Sequence, residues 1–386
     1  MPGPQKLPVE ASPQQEVRMV LKFVSNSPVV YVSANTHPSL DTPSVVTITQ
    51  SLVFNINKWN GIKSAASSDK HVPIEPDPMM NQQHGASKRQ INDRLDQSIN
   101  VKHSVLLVTA DNRHVIVAGF WDRSFRIYST ENGKLEQSVF GHASPTTLLA
   151  RSETYIGGDC YIVSGSRDAT LLLWYWNGRR RRIVGDSPNP LDNPSPRATL
   201  VGHEAEIILA SVCAELGMIA SAALTGPILI HTITGELLRR LVPDPSWTAL
   251  NSTQVIFSND GFILCCFGDR HLVNYTVNGT QVHDQYANDS VDTLILSNDG
   301  NYAMSAGKEG KIELRDAWSL ELLHTFPKCD TSIQHLALTH DQQTLISAMK
   351  SGSVVAFKVD FSKWHPCKRG VFGNKKKELK APTPTE

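Results

Sequence analysis

No apolar run in the 386-residue chain approaches the roughly 18 residues of a membrane span. The first residues also lack the charged-then-apolar pattern of a secretory signal. Charge of one sign is missing too: Lys+Arg and Asp+Glu are both 37, for a formal net charge of zero. Nothing in that balance argues for nucleic acid or an anionic membrane as a bulk partner. Cysteine is sparse. Cys160, Cys213, Cys265, Cys266, Cys329 and Cys367 form no C-x-x-C pair, and no histidine lies at zinc-finger spacing from them. Most sit in apolar strand contexts, where a thiol behaves as a small hydrophobe. The expectation is reduced thiols in a cytosolic chain, with no metal. The sequons at Asn251, Asn278 and Asn288 are then read as chance.

Catalytic signatures are also lacking. His203-Glu204 opens an H-E-x-x-H pattern, but Ile207 stands where the second histidine would be. Gly310-Lys311 has neither the upstream glycine nor the following Ser/Thr of a phosphate loop. The turns Ser258-Asn259-Asp260-Gly261 and Ser297-Asn298-Asp299-Gly300 lack the later carboxylates of a calcium loop. No enzyme and no cofactor is expected.

What the chain does have is a repeat. Its clearest copies are Ser164-Gly165-Ser166-Arg167-Asp168-Ala169-Thr170-Leu171-Leu172-Leu173-Trp174 and Gly119-Phe120-Trp121-Asp122-Arg123-Ser124-Phe125-Arg126-Ile127-Tyr128. Cys265 to Tyr275, Ser305 to Arg315 and Ser347 to Phe357 follow the same plan of strand, polar turn and strand. The two Asp-Gly hairpin signals, with Ala110 to Arg113 and His340 to Gln342 in equivalent places, mark a second turn ahead of each motif. A repeat of this length that is mostly β predicts a propeller, whose blades each hold four antiparallel strands, a to d, from the channel outward.

The b–c turns at Asp122, Asp168, Thr225, Asp269, Glu309 and Ser351 mark six blades. Pro28 to Ala34, Ser44 to Thr49 and Leu52 to Trp59 supply a seventh. With insertions at 64–98 and 177–199 set aside, 17–365 divides into seven units of about 42 residues. The prediction is an all-β, seven-bladed WD-repeat β-propeller with disordered tails at 1–16 and 366–386. A helical turn near Arg89 to Leu95 is expected in the first insertion. The second, with Pro188, Pro190, Pro194 and Pro196, should lack regular structure. An open ring would expose two sheet edges. Val17 to Val24 has no blade of its own and is predicted to close the ring as outer strand of the last blade. Asp360 to His365 is the competing choice.

His142, Ser164 and Asp168 invite an acyl-transfer reading, but no G-x-S-x-G elbow or oxyanion loop accompanies them. With Trp174 they read as a structural tetrad. Asp168 accepts from His142 and turn amides, His142 donates to Ser164, and Ser164 bonds the Trp174 indole. The next unit keeps Gly202-His203 but carries Thr225 for Asp and His231 for Trp. Arg123, Arg167, Arg270, Lys308 and Lys350 occupy equivalent b–c positions, a candidate rim for an acidic partner. Arg179-Arg180-Arg181-Arg182 is the densest charge and a candidate for phosphate groups of a lipid or phosphoprotein, on the opposite face.

The block Gly119 to Arg126 and the long block Tyr155 to Trp176 resemble the C-terminal WD-repeat region of the neurobeachin and lipopolysaccharide-responsive beige-like anchor family of BEACH proteins. Val20 to Phe23, Lys88 to Ile91, Leu95 to Ile99, Val212 to Gly217 and Phe361 to His365 share the likeness, which runs from about 17 to 365. Two features depart from it. Ala143-Ser144-Pro145 replaces an expected Trp-Asp after Gly141-His142, and the four-arginine run is more basic than is usual. The resemblance implies a protein-interaction domain of a cytosolic scaffold, peripheral to endomembranes, that acts in vesicle traffic and membrane-protein sorting. It implies protein partners: trafficking machinery, cargo or an upstream BEACH domain. The runner-up reading is a stand-alone propeller serving as substrate receptor in another complex, such as a ubiquitin ligase.

Overall fold

The computed structural model describes residues 18–21, 27–37, 40, 43–59, 70–73, 95–96, 98–152, 159–187, 189, 192–247 and 250–364. The expected tails and the expected helical turn up to residue 94 lie outside them. Leu95 itself forms an isolated bridge to Phe120.

The chain builds seven antiparallel sheets. The first strand, β1 (Arg18–Leu21), belongs to the last of them. Blade 1 is β2 (Val29–Asn35), β3 (Ser44–Thr49), β4 (Val53–Lys58) and β5 (Lys70–Pro73). Blade 2 is β6 (Leu106–Val108), β7 (His114–Val117), β8 (Phe125–Ser129) and β9 (Leu135–Val139). Blade 3 is β10 (Thr146–Arg151), β11 (Cys160–Ser166) and β12 (Leu171–Asn177), with β13 (Arg182–Val184) and β14 (Ala198–Leu200) both on its outer edge. Blade 4 is β15 (Ile207–Cys213), β16 (Met218–Ala223), β17 (Ile228–Thr232) and β18 (Leu237–Leu241). Blade 5 is β19 (Ser252–Phe257), β20 (Phe262–Phe267), β21 (His271–Thr276) and β22 (Gln281–Tyr286). Blade 6 is β23 (Thr293–Leu296), β24 (Tyr302–Ala306), β25 (Ile312–Asp316) and β26 (Leu322–Thr325). Blade 7 is β27 (Ile333–Leu338), β28 (Thr344–Met349) and β29 (Val354–Lys358), completed by β1.

The closing strand is therefore the N-terminal one. Met19 pairs with Ala356 and Val20 with Val355. The competing segment instead turns at Phe361–Lys363 as a short 3-10 helix, capped by Asp360, whose carboxylate accepts from the Ser362 N–H.

Burial follows radius. Every residue of β20, β24 and β28 is buried, because the middle strands are covered on both faces by neighbouring blades. Outer strands such as β22 are mostly exposed. The cores lie between blades rather than within them. Leu148, Val163 and Leu171 of blade 3 cluster with Ile207, Val212 and Ile219 of blade 4. The last such cluster joins Val29, Val32 and Val45 of blade 1 to Ile346, Val354 and Ala356 of blade 7, which closes the ring a second time.

Both expected insertions hold strands. β5 pairs with β4 inside 64–98, through Phe54↔Val72 among others. Inside 177–199, β13 pairs with the far half of β12 (Trp176↔Ile183) and β14 with its near half (Leu172↔Thr199). The proline-rich stretch between them thus splits one outer strand in two. An outer strand buries only one face and one edge, so short, poorly patterned segments suffice.

Candidate docking face

Strand alternation decides which turns share a face. In each antiparallel blade the strand ends that lead from a to b and from c to d face one side of the ring. The b–c turns lie on the other, around the mouth of the channel, as do the strand ends that lead into the d–a connections.

The tetrad sits under that mouth-side face in blade 3. Trp174 Nε1–H donates to Ser164 Oγ at 2.8 Å, and Ser164 Oγ meets His142 Nε2 at 2.8 Å. His142 Nδ1 meets Asp168 Oδ2 at 3.2 Å. Asp168 also accepts from the Ala143 and Thr170 amides and the Thr170 hydroxyl. Burial lowers the His142 pKa against the opposing pull of Asp168, so its ring is neutral. A neutral ring has one N–H, and Asp168 can only accept. The proton therefore sits on Nδ1, and Ser164 donates to Nε2, opposite in sense to the expected His-to-Ser bond. Burial raises the Asp168 carboxyl pKa, but the Thr170 hydrogen bond and His142 outweigh it and hold the group below its ordinary value. Ser164 and Trp174 are both fully buried. A serine locked between two partners and closed to solvent offers no nucleophile to a substrate. Blade 4 retains only a remnant: His203 Nε2 meets Ser221 Oγ at 2.9 Å, and His231 Nε2 bonds the Val201 carbonyl instead.

The b–c cations all reach the mouth-side face, but not as a uniform positive ring. Arg167 spans to Glu206 of the next blade (3.3 Å), to the buried Asp96 (3.5 Å) and to Ser98 Oγ (2.7 Å). Arg270 of blade 5 lies 3.6 Å from Glu309 of blade 6, and Lys308 of blade 6 lies 3.6 Å from Asp269 of blade 5. Arg123, with φ +68°, and Lys350 are exposed, and among the described residues neither side chain has an acidic partner. Arg179, Arg180 and Arg181 are exposed on the opposite side, in the c–d turn of blade 3, and Arg182 opens β13.

Sequence reasoning missed the mouth itself. It is a hollow of about 610 Å³ to which every blade contributes: Val30, Lys102, Thr147, Leu209, Gln254, Asp292 and Gln334 among others. Burial holds the Asp292 carboxyl above its ordinary range, against the attraction of Lys308. Apolar side chains stand exposed on the same face. Leu224 lines the hollow at 52 % exposure, and Val242 (70 %) and Leu250 (43 %) flank the blade 4 to blade 5 connection. Their signal in the sequence was weak, since single apolar residues in loops are ordinary. Among the described residues no cluster of His, Cys, Asp and Glu could hold a metal, and no helix is long and apolar enough to cross a membrane.

These features define a seven-bladed WD-type β-propeller. The chain belongs to the neurobeachin β-propeller family, whose domain model matches residues 19–366. It is 32 % identical over 364 residues to a protein of Caenorhabditis briggsae described as a neurobeachin homolog, covering 90 % of this chain and 14 % of that protein. The counterpart in Caenorhabditis elegans is 32 % identical over 368 residues, or 91 % and 14 %. A BEACH domain-containing protein B of Arabidopsis thaliana is 23 % identical over 256 residues, or 64 % and 10 %. The chain thus spans about one-seventh of the length of the nematode relatives.

Proposed function

We propose that this propeller is the protein-docking module of a BEACH-type scaffold that sorts membrane proteins in vesicle traffic, working in the cytoplasm at the surface of endomembranes. Family membership supports the scaffold; the mouth-side hollow supports the docking role and is the observation that carries it. Seven blades converge there, exposed Leu224, Val242 and Leu250 offer area that gains from burial, and Arg123 and Lys350 offer unspent positive charge. The acidic-partner rim narrows to those two cations, because the other three are engaged across blades.

The test is affinity purification of the 386-residue chain beside a Leu224→Asp/Val242→Asp variant and an Arg123→Glu/Lys350→Glu variant. Circular dichroism checks that each is folded. Trafficking or membrane-cargo proteins should co-purify with the parent and fall at least tenfold with either variant. An Arg180→Glu/Arg181→Glu variant on the far face should keep them. Partners retained by both mouth-side variants would rule out this face.

A further inference from the structure

Below the mouth the channel holds a second chamber of about 250 Å³. Residues of the innermost strands supply most of its lining, and most are aliphatic: Leu107, Leu149, Ile256 and Leu294 are typical. Its lining includes no Asp or Glu. Arg151, the last residue of β10, is the one fixed charge there. Its Nη1 is buried, and among the described residues it has no hydrogen-bond partner.

Arg151 as a whole is half-buried, and its one buried, unpartnered nitrogen contrasts with the two fully buried arginines. Arg126 has Asp122 at 2.8 Å and the Phe120 ring at 4.0 Å. Arg315 has Glu313 at 2.7 Å and the Leu320 carbonyl at 2.9 Å. Leaving a buried guanidinium N–H without a partner is unfavourable. The neighbouring groups cannot supply the missing negative charge. Burial pushes the Tyr31 hydroxyl up, although Arg151 opposes the shift, so Tyr31 stays protonated and can donate. Burial drives His335 down to about 3 and His103 to about 4, so both are neutral. Ser211 Oγ accepts from the Phe257 amide at 2.9 Å, which leaves its own proton free to donate.

We propose that this lower chamber is an anion site, in which Arg151 binds a small oxyanion, a carboxylate or a phosphate. A charge-assisted bond from Arg151 to an oxyanion is roughly twice as strong as a neutral hydrogen bond. None of Arg123, Leu224, Val242, Leu250 and Lys350 lines this chamber, although His103, Ser104, Leu209 and Gln254 line both hollows.

The experiment follows thermal unfolding of the 386-residue chain against inorganic phosphate and against acetate at constant ionic strength. Arg151→Met, which keeps the stem and removes the charge, is run in parallel. The parent should show a saturable rise in Tm of several degrees, with half-effect in the millimolar range or below. Arg151→Met should show no saturable rise. Without added anion its Tm should equal or exceed the parent's, since an uncompensated charge has been removed. An octaglutamate peptide separates a partner's acidic side chain from a free anion. A response to any of these probes that requires Arg151 sustains the site. No response to any of them, an equal response in Arg151→Met, or a fall of several degrees on making that variant overturns it. Glu153, outside the described residues, is examined as Glu153→Gln. Phosphate binding that appears only in that variant would make the counter-ion internal and would also overturn the proposal.

Discussion

Many buried polar residues in this ring are held in pairs or chains, and there removing one member strands another. Glu313 is 1 % exposed. It takes two bonds from Arg315 (Nη2 at 2.7 Å, Nε at 3.2 Å) and one from the Asn288 amide at 3.0 Å. Glu313→Ala would leave a buried guanidinium unpaired and should cost about 3–5 kcal/mol in urea unfolding. Ser164→Ala would orphan the Trp174 N–H and the His142 Nε2, at a cost of about 2 kcal/mol or more. The same substitution should leave partner capture unchanged once the protein is folded. Lost capture in a folded Ser164→Ala chain would speak against a purely structural tetrad. The tetrad could be read from sequence because each member sits at a fixed place in a repeated unit. The state of the rim could not. Arg167 meets Glu206, and Arg270 meets Glu309, each about one blade further along. No local spacing reveals a partner brought near by ring closure. Arg151 was equally hidden, since a lone arginine at a strand end looks solvated until the channel is built around it.

Elements were legible in proportion to how much apolar surface they bury. The middle strands are apolar at nearly every position, and so were found at once. β5 reads Lys-His-Val-Pro and β13 Arg-Ile-Val, too short and too polar to stand out from the loops around them. β1 was legible because it had no blade of its own. Its four register pairs with β29 cover an edge that would otherwise be open. Deleting residues 1–24 should therefore cost roughly 3–4 kcal/mol, about one per ladder bond lost. It should also produce concentration-dependent association through the bared edge, read by light scattering. A monomeric deletion variant of unchanged stability would mean that the blade 1 to blade 7 core closes the ring alone. Turn glycines make a second test. At Gly307, in the b–c turn of blade 6, an added Cβ would lie 1.8 Å from the Ser290 carbonyl oxygen. The Gly307 carbonyl meanwhile accepts from the Ile333 amide of blade 7 at 3.0 Å. Gly307→Ala should cost about 3 kcal/mol, because the nearest atom is backbone and the bond to blade 7 keeps Gly307 from moving aside. Gly226 has open space around it but φ +100°, so Gly226→Ala should cost about 1 kcal/mol through backbone strain alone.

Across the whole ring, the repeat period made seven blades readable, while the channel, which no single blade owns, was not. The channel and blade edges also set how the molecule answers to acid. His335 and His103 line the channel, and His203 lies at the blade 4 edge. Burial lowers all three, to about 3, 4 and 4, with a neighbouring cation or histidine adding to each shift. A histidine whose folded pKa lies below the unfolded value of about 6.5 costs nothing at pH 7.5, where both states are neutral. Between pH 6.5 and 4 the unfolded chain takes up protons that the folded ring refuses, so stability falls with pH. At pH 5 each group should remove about 1–2 kcal/mol. Asp168 and Asp96, whose pKa values are held low, add a further loss once pH falls below about 4, where the unfolded carboxylates protonate first. The urea midpoint should therefore drop clearly between pH 7.5 and 5.0. The drop should shrink by about 1–2 kcal/mol in His335→Gln, which removes the titrating ring that stacks on Tyr31 at 4.7 Å. Because each core joins two blades, protonation inside the channel should loosen all seven together, giving a single transition at both pH values. A midpoint that does not move between pH 7.5 and 5.0 would mean that water in the channel solvates these rings as well in the folded ring as in the unfolded chain.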